Sequence, residues 1–217
     1  MTTKAEENYI KAIYKIGDRD RREVATNSIA RHMNTSAASV TDMIKRLSDK
    51  KLVNYVKYHG VTLTGTGRAL ATDLVRKHRL WETFLVEKLN FKWNEVHNLA
   101  EELEHINSTE LIDRLDALLE FPRFDPHGDP IPSTKGKFTL RNQILLQELQ
   151  IGVRATVVGV REQNDSFLAH LDYMGLSLFS KIRVLEKFNY DNSILIEIEG
   201  IHHTISAKVT SNIYVKL

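Results

Sequence analysis

Cysteine is absent from the 217-residue chain. Its absence excludes disulfide bonds, thiolate catalysis and sulfur-rich zinc sites, so a metal could be bound only through nitrogen and oxygen. No apolar run reaches the roughly 18 residues of a membrane-spanning helix, and there is no signal-peptide pattern, so we expect a cytoplasmic protein without a membrane partner. Glycine-rich phosphate loops and recognisable nucleophile arrangements are also missing. We therefore predict no enzyme activity, no catalytic residue and no small-molecule substrate.

The charges nearly balance over the whole chain, but they are unevenly distributed along it. Residues 1–72 contain 13 Lys and Arg against 7 Asp and Glu, residues 73–139 contain 9 against 13, and residues 140–217 contain 8 of each. A basic first third beside an acidic, histidine-containing middle is typical of a polyanion-binding module joined to a cation-binding one. These three ranges are our predicted domains.

The first domain has the pattern of a winged helix-turn-helix. A helix over Lys4–Ile16 is followed by a short helix over Asn27–Met33, with Thr26 as its cap, and by a third that opens at Thr35 or Ser36 and runs to about Lys50. Two short helices joined by a tight turn indicate helix-turn-helix. The β-type runs Val53–Lys57 and Val61–Leu63 then predict a hairpin that forms the wing.

The remaining chain is predicted to be mainly helical and then β. Helices are expected over Arg68–Lys88, Lys92–Asn107 and Ser108–Glu120, and their leucine stripes suit a core or a dimer interface. All four prolines lie between residues 121 and 136, which indicates an ordered turn followed by a linker. The last domain is expected to be a small β-barrel with one helix at Ser166–Met174. Its predicted strands are Thr156–Val160, Lys181–Lys187, Ser193–Glu199, His202–Ala207 and Ile213–Lys216.

Histidines and carboxylates recur at helical spacing in the middle domain. On one helix, His97, Glu101, Glu104 and His105 would fall within an arc of roughly 100°, and a second pair, four residues apart, lies on the preceding helix. Unprotonated side chains that converge in this way make a site for a divalent cation. Two alternatives remain: a solvated charged face with core histidines, or a di-iron carboxylate enzyme, whose second Glu-x-x-His motif the chain lacks.

The third helix of a winged helix enters the major groove of DNA with its N-terminal residues against the bases. Here those residues are small, which suits thymine methyls, phosphates and DNA shape better than bidentate reading of purines. Basic side chains further along, and Lys57 in the wing, would contact phosphates. The predicted DNA-binding residues are Ser36, Ala37, Ala38, Ser39, Thr41, Lys45 and Arg46.

Several stretches together resemble the diphtheria-toxin-repressor family of metal-dependent transcriptional regulators, especially its manganese-sensing branch. They are Glu7-Asn8-Tyr9-Ile10-Lys11-Ala12-Ile13-Tyr14, Leu63-Thr64-Gly65-Thr66-Gly67-Arg68, Arg76-Lys77-His78-Arg79-Leu80-Trp81-Glu82, Glu101-Glu102-Leu103-Glu104-His105 and Pro126-His127-Gly128-Asp129-Pro130-Ile131-Pro132. The resemblance covers the full length and implies a winged helix-turn-helix, a helical metal-binding and dimerisation domain, and an SH3-like barrel of the FeoA type. It also implies a homodimer that binds operator DNA when loaded with metal.

The resemblance also implies two metal sites. The positions that match the family's primary site are Asn8, His78, Glu101, Glu104 and His105. Those that match an ancillary site are Glu82, His97, Asp125 and His127, with Asp165 favoured over Asp172 as a ligand from the barrel.

Two positions depart from the family's manganese sensors. Such sensors usually carry aspartate where this chain has Asn8, and some binuclear members carry a carboxylate where it has Lys11. Glutamate at position 101, where iron sensors tend to have cysteine, favours Mn²⁺, which prefers hard oxygen ligands. The expected function is manganese-responsive repression of metal-uptake genes. An iron-responsive repressor is the alternative, as is a winged-helix regulator controlled by an organic ligand or a protein, and other divalent metals are expected to bind in vitro.

Overall fold

The computed structural model describes residues 2–17, 22–56 and 59–217. The chain divides into two compact units. The first comprises Met1–His78, Glu101–Thr109 and Pro132–Lys137, and the second comprises Arg79–Ala100, Glu110–Ile131 and Phe138–Leu217. In the described ranges, no helix combines the length and the apolarity needed to cross a membrane.

The first unit contains the winged helix-turn-helix. Its elements are α1 (Lys4–Gly17), α2 (Thr26–His32), α3 (Ala37–Asp49), β1 (Val53–Val56), β2 (Gly60–Leu63) and the first half of α4 (Gly65–Leu89). β1 and β2 pair as an antiparallel hairpin, which confirms the wing. The three short helices bury Ile10, Ile29 and Ile44 completely, and these residues hold α1 and α2 against α3.

Local sequence explains where α2 and α3 begin. Ser36 caps α3, because its hydroxyl oxygen accepts a hydrogen bond from the Ser39 backbone N–H at 3.1 Å. The predicted cap of α2 was wrong: Thr26 is the first helical residue, and the cap position is Ala25, whose side chain makes no capping bond. The predicted end of the first wing strand, Lys57, lies outside the described residues.

The second unit is built around an antiparallel sheet. Its helices are the second half of α4, α5 (His97–Leu103, which crosses into the first unit), α6 (Thr109–Leu118), α7 (Asp165–Tyr173) and α8 (Ala207–Thr210). Its strands are β3 (Ile144–Leu145), β4 (Arg154–Val160), β5 (Lys181–Lys187), β6 (Ile194–Ile198), β7 (Ile201–Ile205) and β8 (Ile213–Lys216), in the order β3-β8-β4-β5-β6-β7. Inward-facing Val184, Ile196 and Val215 are fully buried and pack with Leu168 of α7.

The helix predicted over Lys92–Asn107 is much shorter than the spacing suggested. Asn90 adopts a left-handed conformation with φ of 58° just after α4, and α5 begins only at His97. At the other end, the Ile106 backbone N–H bonds to the Leu103 carbonyl, so the chain turns away immediately after α5. Glu104 and His105 therefore lie in a turn and not on the helical face that their spacing predicted.

Candidate metal centres and DNA-binding surface

Four side chains of the first unit meet at one buried point. His78 projects from α4, Glu101 from α5 and Glu104 from the turn after it, and Lys11 reaches them from α1. Lys11 Nζ lies 2.7 Å from Glu101 Oε1, 2.5 Å from Glu104 Oε2 and 3.2 Å from His78 Nδ1. His78 Nδ1 is also 2.7 Å from Glu104 Oε2. The two carboxylates and the imidazole thus already surround a positive charge.

Glu7 orients the fifth predicted ligand, His105. The ring Nδ1 of His105 lies 2.6 Å from Glu7 Oε2, and the Thr2 hydroxyl donates to the other oxygen of Glu7 at 2.7 Å. A carboxylate can only accept, so Nδ1 donates to Glu7, and Nε2 is the ring nitrogen that remains for a metal. That Nε2 is 4.0 Å from Glu104 Oε1. A carboxylate behind a histidine in this way is typical of metal sites.

Two residues of the predicted ligand set carry buried oxygens that a divalent cation could satisfy. Asn8 Oδ1 and Glu104 Oε1 are buried and have no hydrogen-bond partner among the described residues. A buried acceptor without a partner costs about 1–3 kcal/mol, which binding of a cation would recover. Carboxylate and amide oxygens with imidazole nitrogens are the donors that Mn²⁺ and similar ions prefer. We call these residues, Asn8, His78, Glu101, Glu104 and His105, the primary site.

Glu101 is held in its charged form. Burial by itself raises the pKa of this carboxyl, but the charge and hydrogen bond of Lys11, helped by Lys15 and His78, outweigh burial and lower the pKa to about 2. Glu101 is therefore a carboxylate at any physiological pH and is ready to bind a cation.

The second unit brings together Glu82, Asp125 and His127, and all three are buried. Each offers one ligand atom, and these atoms lie within 4.8 Å of one another. Glu82 projects from α4, whereas the other two lie in the proline-rich turn. We call this set the second site. His97, from the start of α5, approaches it, with Nδ1 3.3 Å from Glu82 Oε1.

The geometry fixes which nitrogen of His127 could bind a metal. His127 Nε2 lies 2.8 Å from the Trp93 carbonyl oxygen, which can only accept, so this nitrogen carries a proton. The other nitrogen, Nδ1, is buried without a hydrogen-bond partner in the described chain and is 3.6 Å from Glu82 Oε2. An unpartnered nitrogen facing a carboxylate is suited either to carry a proton or to share a cation with it.

Burial and neighbouring charges shift the pKa values of Asp125 and His127. Burial, together with the charges of Glu82 and Asp129, raises the pKa of Asp125 to about 7. Burial alone would lower the pKa of His127, but Glu82, with help from Asp125, outweighs it and raises that pKa to about 9. The buried set therefore holds protons at neutral pH that a bound cation would have to replace.

Binding of Mn²⁺ at the second site is expected to strengthen with pH. The His127 imidazole keeps a proton below its pKa of about 9, and this proton must leave before Nδ1 can coordinate. Affinity should therefore rise about tenfold per pH unit between pH 7 and 9 and level off above that range. Chelator-competition titrations at several pH values measure this, with His127→Gln as the control that lacks the dependence. An affinity that stays constant from pH 7 to 9 would contradict the assignment.

Asp125 also organises the turn that carries His127. Its Oδ1 accepts hydrogen bonds from the backbone N–H groups of His127 at 2.8 Å and of Asp129 at 3.0 Å. Arg79 of α4 lies 3.4 Å from the other oxygen of Asp125 and bonds to Asp129 at 2.8 Å. One carboxylate thus serves both the turn and the candidate site.

The two ligands considered from the last domain, Asp165 and Asp172, do not belong to the cluster that forms the second site. Asp165 is exposed at the first residue of α7 and is not among the atoms that converge with His127. Asp172 is connected to the site indirectly, because its Oδ1 accepts from Trp93 Nε1 at 2.7 Å and the Trp93 carbonyl holds His127. Neither aspartate is among the ligand atoms that converge with His127, so the preference for Asp165 stays a prediction.

The predicted DNA-binding residues form the exposed face of α3 and its start. Ser36, Ala37, Ala38 and Ser39 are exposed, as are the basic residues of the next turns. Thr41 is half-buried, and its hydroxyl donates to the Ala37 carbonyl at 2.8 Å, so the hydroxyl is used within the helix and the methyl group remains. Lys45 and Arg46 lie on the exposed side beyond it. The predicted phosphate contact Lys57 lies outside the described residues.

Sequence reasoning did not foresee the roles of Lys11 and Glu7. Both lie on α1 within one helical turn of Asn8, and that spacing was the signal that could have found them. His97 was grouped with Glu101 by spacing and with the ancillary site by resemblance, and its Nδ1 lies 3.3 Å from Glu82 Oε1.

Family models match three consecutive parts of the chain. Residues 1–61 match the N-terminal DNA-binding domain of iron-dependent repressors. Residues 64–133 match their metal-binding and dimerisation domain, and residues 144–217 match the FeoA domain.

Known proteins are similar over the full chain or over part of it. A solved manganese-dependent transcriptional repressor in complex with manganese is 34% identical, with 97% of this chain and 99% of that one covered and a TM-score of 0.84. The iron-dependent repressor IdeR of Mycobacterium bovis is 33% identical over 126 residues, which are 58% of this chain. A probable metal transport system membrane protein of Chlamydia trachomatis is 48% identical over 79 residues, or 36% of this chain. The matches span 54% of the mycobacterial protein and 18% of the chlamydial one.

Proposed function

Because the chain belongs to the diphtheria-toxin-repressor family of metal-dependent transcriptional repressors, we propose that it binds operator DNA as a cytoplasmic homodimer when the primary site holds a divalent cation. The expected consequence is repression of metal-uptake genes in a metal-replete cell.

Three consecutive residues of α1 carry the proposal. Glu6 is buried and binds Lys50, the C-cap residue of α3, through both carboxylate oxygens at 2.7 and 2.8 Å. Glu7 binds His105 of the primary site. Asn8 presents its unpartnered oxygen. A single turn of helix therefore contacts the recognition helix on one side and candidate metal ligands on the other.

This arrangement supports a linkage mechanism. A bound cation would supply the positive charge that joins Asn8 on α1 to the ligands from α4 and α5. Glu6 then carries any adjustment of α1 to the end of α3. A ligand shifts an equilibrium only through its different affinities for the two states, and a shift from 1:99 to 99:1 needs about 5.5 kcal/mol. Two carboxylates and two imidazoles offer enough ligands for such a difference.

Mn²⁺ is the metal that the donor set supports best. The primary site offers carboxylate and amide oxygens with imidazoles and contains no sulfur, as expected for a hard cation. Fe²⁺ is the second candidate, because its ligand preferences overlap and a curated relative is an iron-dependent repressor. Other divalent transition metals should bind in vitro.

A second copy of the chain is supported by apolar side chains beside α6. Leu111 and Leu118 lie one heptad apart on this helix, and Phe121 follows it. Leu118 is 57% exposed and Phe121 is 67% exposed. Leucine and phenylalanine at this exposure are typical of a surface that a partner covers.

Fluorescence anisotropy with DNA from upstream of a metal-transporter gene tests the proposal. Chelator-stripped protein should bind this DNA only after Mn²⁺ or Fe²⁺ is added, and the ranking of Mn²⁺, Fe²⁺ and Zn²⁺ identifies the metal. Glu101→Ala and His105→Ala should both lose the metal dependence. Equal binding with and without metal would reject the proposal and favour the regulator controlled by an organic ligand or a protein.

A further inference from the structure

Lys11 Nζ occupies the point on which three of the five primary-site residues converge. It is within 3.2 Å of one atom from each of Glu101, Glu104 and His78, and only 4% of its side chain is exposed. Two of the three N–H donors of this ammonium group bond to the carboxylate oxygens Glu101 Oε1 and Glu104 Oε2. We propose that Lys11 is a resident cation of the metal-free primary site, and that a divalent metal must displace it to bind. This inference rests on the proposed function.

Direct competition follows from the atoms involved. Lys11 binds Glu101 Oε1 and Glu104 Oε2, one oxygen from each of two expected metal-ligand residues, whereas Glu104 Oε1 has no hydrogen-bond partner among the described residues. A divalent transition metal holds such oxygens at about 2.0–2.2 Å, and a lysine ammonium 2.5–2.7 Å from the same atoms would lie almost on top of the metal. The two cations also repel each other strongly in a buried setting. Lys11 and the metal therefore exclude each other from this point.

Residence of Lys11 has two consequences for a sensor. It stabilises the metal-free protein, because the buried Glu104 carboxylate is paired with a positive charge. It also raises the metal concentration needed for loading, because the charge-assisted bonds of Lys11 must be broken first. Lys11 would thus set the threshold at which the repressor responds.

The test measures Mn²⁺ affinity of the metal-stripped full chain by competition with a fluorescent chelator. Lys11→Met keeps the length of the side chain and removes its charge. We expect Mn²⁺ to bind this variant at least about tenfold more tightly than the wild type. The melting temperature of its metal-free form should fall, and the increase on addition of Mn²⁺ should be larger. Lys11→Gln provides the same comparison if the methionine variant does not fold.

Lys15→Met is the matched control. Lys15 lies one turn further along α1, its Nζ is 4.0 Å from Glu101 Oε1, and 41% of its side chain is exposed. The Lys15→Met substitution removes the same charge but leaves Lys11 between Glu101, Glu104 and His78. The affinity for Mn²⁺ should therefore change less than about threefold. Unchanged or weaker Mn²⁺ binding by Lys11→Met would overturn the inference. If Glu104→Gln also leaves binding unchanged, the proposed function itself fails; if that variant loses binding, only the role of Lys11 is rejected.

Discussion

Replacing Glu104 by glutamine is expected to weaken Mn²⁺ binding at the primary site by at least about a hundredfold and to abolish metal-dependent DNA binding. Loss of a partner behind a metal ligand commonly costs 10–100-fold in affinity, so loss of a charged ligand should cost at least as much. Glu104 is the most buried member of the set, with no exposed surface, and one of its oxygens has no hydrogen-bond partner within the described residues. Chelator competition measures the affinity, and anisotropy measures DNA binding.

Glutamine is preferred to alanine at this position for a physical reason. Glu104 is the closest partner of the buried Lys11 ammonium, and removing one member of a buried ion pair destabilises a protein by roughly 3–5 kcal/mol. Glutamine keeps the side-chain volume and an oxygen that can accept from Lys11. Glu102→Gln removes the same charge from an exposed neighbouring position and should leave both affinities unchanged. A Glu104→Gln variant that still binds DNA in a metal-dependent manner would remove this residue from the site.

Binding to operator DNA should fall steeply with salt, by about a thousandfold between 50 and 200 mM. Lys45, Arg46 and Lys51 are exposed on and just after α3, so a dimer would present six positive charges to phosphates. Each neutralised phosphate contributes about −0.9 to the slope of log affinity against log salt, which gives about −5. Arg46→Ala should reduce that slope by about 2 per dimer.

Anisotropy titrations at several salt concentrations and saturating Mn²⁺ measure the slope. Lys181→Ala, an exposed lysine at the start of β5, removes the same charge elsewhere and is the control. Because phosphate contacts carry no sequence information, Arg46→Ala should weaken binding to specific and unrelated DNA alike. An unchanged slope in this variant would place the basic face of α3 away from the DNA.

The winged helix could be predicted because each element has a local signal. Ser36 caps the N-terminus of α3, and apolar residues at helical spacing in the helices form the core of the winged helix. Two β-type runs flank a turn that contains glycine. The strands β5 and β8 were predicted with their observed bounds, because apolar and polar residues alternate along them and turn residues lie at their ends. β3 was missed, because two residues that pair only with β8 at the edge of a sheet leave no periodic pattern.

The candidate metal centres were only partly predictable. Spacing placed Glu101, Glu104 and His105 near one another but on one helix, whereas the chain turns at Leu103 and brings the last two in from a turn. Spacing also grouped His97 with them, and it did not reveal that His97 lies 3.3 Å from Glu82 as well. The spacing of residues 97–105 describes neighbours on one element only. Lys11 and Glu7 approach from α1, 90 or more residues earlier, and only their spacing from Asn8 could have indicated them.

In the proposed mechanism, loading of the primary site and binding of DNA are linked, and linkage is reciprocal. The most direct test measures the affinity of the metal-stripped protein for Mn²⁺ with and without saturating operator DNA. Linkage requires that DNA tighten Mn²⁺ binding by the same factor by which Mn²⁺ tightens DNA binding, and Glu104→Gln should remove both effects. An Mn²⁺ affinity that is the same with and without DNA would contradict it.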